Sequence, residues 1–144
     1  MSEQGYRAPE AVRITGVSYR QLDYWTRTDL VTPSIKDAHG SGTQRLYSFQ
    51  DLATLRVIKR LLDTGLSLQR IRRAVAHLRT MDERPHGVTL MSDGAGIYEA
   101  HSPEAVVDLL KNGQGVFAIS LDAVWNDLES EVQQASKGRA AGGS

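Results

Sequence analysis

Apolar residues recur at helical spacing in four stretches of the first 80 residues, and sharp stops separate them. Pro9 stands where the first turn of a helix tolerates proline and Gly16 where a helix closes, so the spacing predicts a short helix over Pro9 to Thr15. Ser18 can accept from the backbone of the following turn, which opens a second helix to about Thr28 with Leu22 and Trp25 on one face. Ser48 and Asp51 have capping-box spacing ahead of Leu52, Leu55, Ile58 and Leu62, and Gly65 ends this third helix. Ser67 begins a fourth, with Ile71, Val75 and Leu78 as its apolar stripe and Arg70, Arg72 and Arg73 mostly on other faces. Between the second and third helices, residues 31–47 hold a proline, two glycines and Asp and His turn formers between β-prone ends. They predict a hairpin with its tip near Asp37 to Gly42.

The pattern changes after Met81. Residues 82–87 include Pro85 and Gly87 and suit a linker, and two β-prone segments then flank the turn Gly94-Ala95-Gly96. Pro103 opens a helix to about Asn112, residues 116–120 form a strand, and Val124, Leu128 and Val132 mark a last helix over Leu121 to Gln134. The rear therefore predicts a small α+β domain of order β-β-α-β-α over residues 88–134. Residues 135–144 lack apolar side chains other than alanine and are expected to be disordered.

A length of 144 residues with 40% hydrophobic and 24% charged residues suits a globular chain with one core or a core and a small satellite. No apolar run reaches the roughly 20 residues of a membrane span, and the amino terminus has no leader pattern, so the expected location is the cytoplasm. Cysteine is absent, which removes disulfides, thiolate metal sites and thiol catalysis. The four histidines are scattered without metal-site spacing, and no nucleophile has a recognisable base. Neither a cofactor nor an enzyme activity is expected. The net charge of zero hides an asymmetry, because residues 1–81 carry +6 and residues 82–144 carry −6. A basic front half suits a polyanion.

Two short helices joined near Gly16 and followed by a hairpin are the arrangement that lays one helix in the DNA major groove with a wing beside it. With Leu22 and Trp25 turned inward, Tyr19, Arg20, Asp23, Tyr24 and Arg27 occupy the outer and flanking faces of the second helix. Arginine can grip guanine or phosphate, and the hydroxyls of Ser18 and the tyrosines can donate to phosphate oxygens. The hairpin adds the cations Lys36 and Arg45. A competing reading has the basic helices docking on an acidic protein partner of the transcription machinery, which would not need a recognition helix paired with a cationic wing.

The set of motifs is more specific than any one of them. Thr15 to Ser18 at the turn, Arg20, the pair Tyr24 and Trp25, Pro33 with Ser34, Arg45 to Tyr47, and Gly65 to Ser67 resemble the amino-terminal domain of MerR-family transcription regulators in order and spacing. That resemblance implies a mainly α protein with a winged helix-turn-helix of four helices and a hairpin wing over residues 6–81. It also implies a homodimer on a two-fold promoter site, with Arg20, Tyr24 and Arg45 on double-stranded DNA. RNA polymerase is a further partner it admits, as is a small-molecule or protein effector at the carboxy-terminal domain. The expected interface is Ser18, Tyr19, Arg20, Tyr24, Arg27, Lys36, Arg45 and Tyr47. The chain departs from the family pattern at Asp23, where a basic residue is usual, and at Asp29, where glycine is usual. Pro85 and Gly87 also interrupt the place of the usual dimerisation helix.

Overall fold

The computed structural model describes residues 5–35, 45–78, 87–93, 96–111 and 117–142. Lys36, the expected hairpin tip, Pro85 and the turn residues Gly94 and Ala95 lie outside them. The elements run α1 (Ala8–Thr15), α2 (Tyr19–Arg27), α3 (Phe49–Asp63), α4 (Leu68–Leu78), β1 (Thr89–Ser92), β2 (Ile97–Ala100), α5 (Pro103–Lys111), β3 (Phe117–Ser120) and α6 (Leu121–Gly142). This is the expected mainly helical architecture with β-β-α-β-α order at the rear. None of the described helices is long and apolar enough to cross a membrane.

The chain packs as two compact units, residues 1–56 with 126–144, and residues 57–125. In the first, α1 stops because Gly16 adopts φ 78°, a left-handed conformation that costs glycine nothing, and its N–H bonds the Val12 carbonyl. The turn that follows is held by Thr15, whose buried hydroxyl donates to the Ala11 carbonyl at 2.7 Å and accepts from the Val17 N–H at 3.2 Å. After α2 the chain turns at Asp29, the one non-glycine residue with positive φ (62°) among those described. The Leu30 and Val31 N–H groups then both reach the Trp25 carbonyl. The position where the family pattern usually has glycine is thus a left-handed one, which aspartate tolerates better than most side chains.

The two described ends of the expected hairpin, residues 31–35 and 45–47, are anchored. Ile35 donates to the Leu46 carbonyl at 3.1 Å, and Tyr47 exchanges two 2.8 Å backbone bonds with Tyr6. Asp51 ties Ser34 to the start of α3. Its buried carboxylate accepts from the Ser34 N–H and hydroxyl, both at 2.7 Å, and from the Ser48 N–H at 2.8 Å, while the Ser48 hydroxyl accepts from the Asp51 N–H. The expected capping box is present and reaches 17 residues back along the chain.

In the second unit β1 is central, in the order β2-β1-β3, with both pairings antiparallel. Leu90 lies opposite Glu99 and Ile119, and Met91 opposite Tyr98 and Ala118. Helix α5 carries the chain from one edge strand to the other. The first turn of α6 is fastened to β1 through the Leu121 N–H to the Val88 carbonyl at 3.0 Å, and through the Asp122 carboxylate, which accepts from the Gly87 N–H at 2.9 Å.

Two expectations are corrected. Packing does not divide the chain at residues 82–87: α4 falls in one compact unit with the sheet, and Ala74 and Leu78 line one cleft with Leu90 and Ile97. The last helix does not stop at Gln134, and the segment expected to be disordered is helical to Gly142. Ala135, Lys137, Arg139, Ala140 and Ala141 are strong helix formers, so the helix propagates without an apolar stripe to hold it.

Replacing Asp51 by Ala should lower unfolding free energy by about 1–3 kcal/mol, since it strands a helix cap and the Ser34 donors; urea denaturation measures it. Asp29→Gly should instead be neutral or stabilising by up to about 1 kcal/mol, and Asp29→Val destabilising, if the left-handed backbone is what the position demands.

Candidate nucleic-acid interface

Helix α2 begins with a reciprocal cap. The Ser18 hydroxyl accepts from the Gln21 N–H and the Gln21 side-chain oxygen from the Ser18 N–H, each at 3.1 Å. The helix then buries Leu22, Trp25 and Thr26. Its opposite face presents Tyr19, 63% exposed, and Tyr24, 47% exposed, with Arg20 also exposed beside Tyr19. Neither tyrosine hydroxyl nor the Arg20 guanidinium has a partner among the described residues. The Ser18 oxygen serves the cap, but its hydroxyl proton is free to point outward.

Arg27 and Arg45 are already engaged. The Asp23 carboxylate accepts from Arg27 Nε at 2.9 Å, one helical turn on, and from Arg45 Nη1 at 3.1 Å, 22 residues on along the chain. One acid therefore joins the exposed helix to the wing base and offsets part of the charge of both arginines. The departure at Asp23 has a structural reason: it is the tie that orients them. The hydrogen bond from Arg45 holds the Asp23 carboxyl below the ordinary aspartate range, against some desolvation, and Arg27 adds to the effect. Burial pulls the Arg45 guanidinium down, but the bond to Asp23 and the neighbouring Tyr47 outweigh it, so its pKa is raised.

Tyr47 is not part of the exposed surface. It is wholly buried, with its hydroxyl 2.9 Å from the Thr26 hydroxyl, and burial pushes its phenol pKa up. The expectation that it meets DNA is therefore corrected: it is a core residue that fixes the strand carrying Arg45. Ser18, Tyr19, Arg20, Tyr24, Arg27 and Arg45 are brought onto or beside one helix, and Lys36 lies outside the described residues. Sequence reasoning missed Thr26 as the partner of Tyr47, and Arg56, which donates to the Thr15 carbonyl at 2.9 Å and steadies the end of α1. An inward-facing threonine one position after Trp25 was the available signal for Thr26. Nothing local marks Arg56, whose partner is 41 residues away.

A capped helix, a tight turn, a second helix with an exposed polar and aromatic face, and a hairpin base beside it define a helix-turn-helix protein. The sequence profile described as MerR HTH family regulatory protein matches residues 6–78, and the chain belongs to that family. It is 53% identical over 140 residues to an HTH-type transcriptional regulator of Mycobacterium tuberculosis, an alignment covering 96% of this chain and 62% of that relative. The chain thus spans less than two thirds of that relative's length. It is 33% identical over 67 residues to the HTH-type transcriptional regulator HmrR of Sinorhizobium medicae, covering 46% of this chain and 44% of HmrR. Among solved structures it is similar to HiNmlR, a MerR-family regulator lacking the sensor domain and bound to promoter DNA. That similarity has a TM-score of 0.46 and 19 parts in 20 of this chain covered (95%), with 80% of HiNmlR, at 16% identity.

Because the folded pKa of Asp23 is below its unfolded value, the clamp contributes above the unfolded aspartate pKa, about 3.9, and is lost as pH falls through the folded value. Carboxyl-carbon NMR should place the Asp23 midpoint below that of a free aspartate. Arg45→Ala should raise it more than Arg27→Ala does; the reverse order would assign the clamp to the wrong arginine.

Proposed function

We propose that the chain is a sequence-specific DNA-binding transcription regulator that acts in the cytoplasm as a homodimer on a two-fold promoter site. The observation that carries this reading is the exposed face of α2, where Tyr19, Arg20 and Tyr24 present side chains without partners among the described residues, on a helix whose other face is core. Arg20, near the helix amino terminus, reads a base edge in the major groove, while the tyrosine hydroxyls and Ser18 donate to phosphates. Arg27 and Arg45, oriented by Asp23, lie beside the duplex backbone, and Lys36 extends the contact along the wing. Family membership supports the same assignment. The dimer follows from scale: a nine-residue helix reaches only a few base pairs, and a second copy on a symmetric site supplies the rest. RNA polymerase at the promoter is the partner through which such binding would act.

Selection of bound sequences from a random duplex pool should enrich a two-fold site, and sedimentation should show two chains on it. Arg20→Ala should cost about 1–3 kcal/mol at that site and relax one base pair in each half. Equal losses on all sequences would make Arg20 a phosphate anchor, and no enrichment at all would sink the reading.

A further inference from the structure

The second unit contains a cleft of about 790 Å³ that the DNA-facing helix does not touch. One wall is α4, which contributes Arg70, Arg73, Ala74 and Leu78. The other is the sheet, which contributes Leu90, Ile97, Tyr98 and Glu99. The spacing explains the first wall: positions 70, 74 and 78 recur every four residues on one helix face, with 73 beside them. Register explains the second. Leu90 on β1 stands opposite Glu99 on β2, with Ile97 two residues earlier on the same face.

Both arginines are exposed, and neither guanidinium has an acceptor among the described residues. The other polar groups on the walls are occupied. The Glu99 carboxylate accepts from the His101 ring at 3.1 Å, and the Tyr98 hydroxyl donates to the Asp93 carboxylate at 3.4 Å. Asp93 itself is drawn to the turn, where it accepts from the Gly96 N–H at 2.7 Å. What remains is two unpaired cations beside Leu78, Leu90 and Ile97, in a space within the range of small-molecule sites. A phosphate strand of DNA would satisfy the cations but leave the apolar floor unused. An uncharged apolar molecule would do the opposite.

We propose that this cleft binds an amphipathic organic anion, with a carboxylate, sulfonate or phosphate held by Arg70 and Arg73 and an apolar or aromatic body laid over Leu78, Leu90 and Ile97. A planar acid group suits paired guanidinium forks. The site does not depend on the DNA-binding reading, because no residue of α2 or the hairpin takes part.

The probe is 8-anilinonaphthalene-1-sulfonate, an aromatic sulfonate whose fluorescence rises in apolar surroundings, titrated into the full chain, with decanoate as competitor. Saturable binding of one probe per chain, displaced by decanoate, is expected. Neutral 1-anilinonaphthalene should bind at least about tenfold more weakly, and the double variant R70A/R73A should lose at least about tenfold in probe affinity. Both replaced side chains are exposed, so circular dichroism and the melting temperature should be unchanged, and Ile97→Lys should block the floor while keeping both arginines. Undiminished probe binding by R70A/R73A would show adsorption to apolar surface and overturn the proposal. So would a loss of DNA affinity in R70A/R73A with probe binding intact, which would assign the two arginines to phosphate of the duplex.

Discussion

A tyrosine cannot be buried without a partner for its hydroxyl, and in the first unit that requirement organises the interface. Tyr47 is enclosed completely, and its phenol bonds the Thr26 hydroxyl on the inner side of α2. Its backbone is paired with Tyr6 at the same time. The segment around Tyr47 is therefore pinned to α2 by a side chain and to the amino-terminal segment by a bridge. Arg45, two residues earlier, projects from a strand whose position is already set, and there it meets Asp23. The exposed polar geometry is a consequence of the buried one.

The Asp23 pair changes what the helix can offer a polyanion. Three arginines lie on or next to α2, yet two share one carboxylate, so the uncompensated cation among the described residues of that surface is Arg20. Exposed ion pairs of this kind contribute little to stability, since solvent screens them and long side chains lose freedom in making them. Their effect is on orientation. Arg27 and Arg45 are tied to a common acid, which restricts where their guanidinium groups lie at some loss of long-range attraction for a polyanion.

Much of the first unit was legible because its signals are local. Pro9, Gly16, Ser18, and Ser48 with Asp51 each act within a turn of where they stand, and helices begin or end beside them. Asp23 with Arg27 was readable from spacing for the same reason. Asp23 with Arg45, Asp51 with Ser34 and Arg56 with Thr15 were not, because each joins residues 17 to 41 apart across a returning chain. Tyr47 was misread for a related reason: a motif reports that a tyrosine is present, while only the packing decides whether its hydroxyl faces water or Thr26. At the rear, the β-β-α-β-α order followed from turns and periodicity. The grouping of α4 with the sheet did not, since an amphipathic stripe states that it needs cover without saying what supplies it.

That grouping also bears on how such a chain could be specialised. Helix α4 lies inside the segment matched by the family profile, residues 6–78, whereas β1 and β2 lie beyond it. The cleft thus takes its cations and Leu78 from the segment that the family profile matches, and Leu90 and Ile97 from the part that follows. Charge recognition by Arg70 and Arg73 and the part of the apolar floor given by Leu90 and Ile97 are carried by separate segments. Replacing the sheet would change which apolar body fits while leaving the anion grip in place, so ligand choice and helix-turn-helix architecture need not constrain one another.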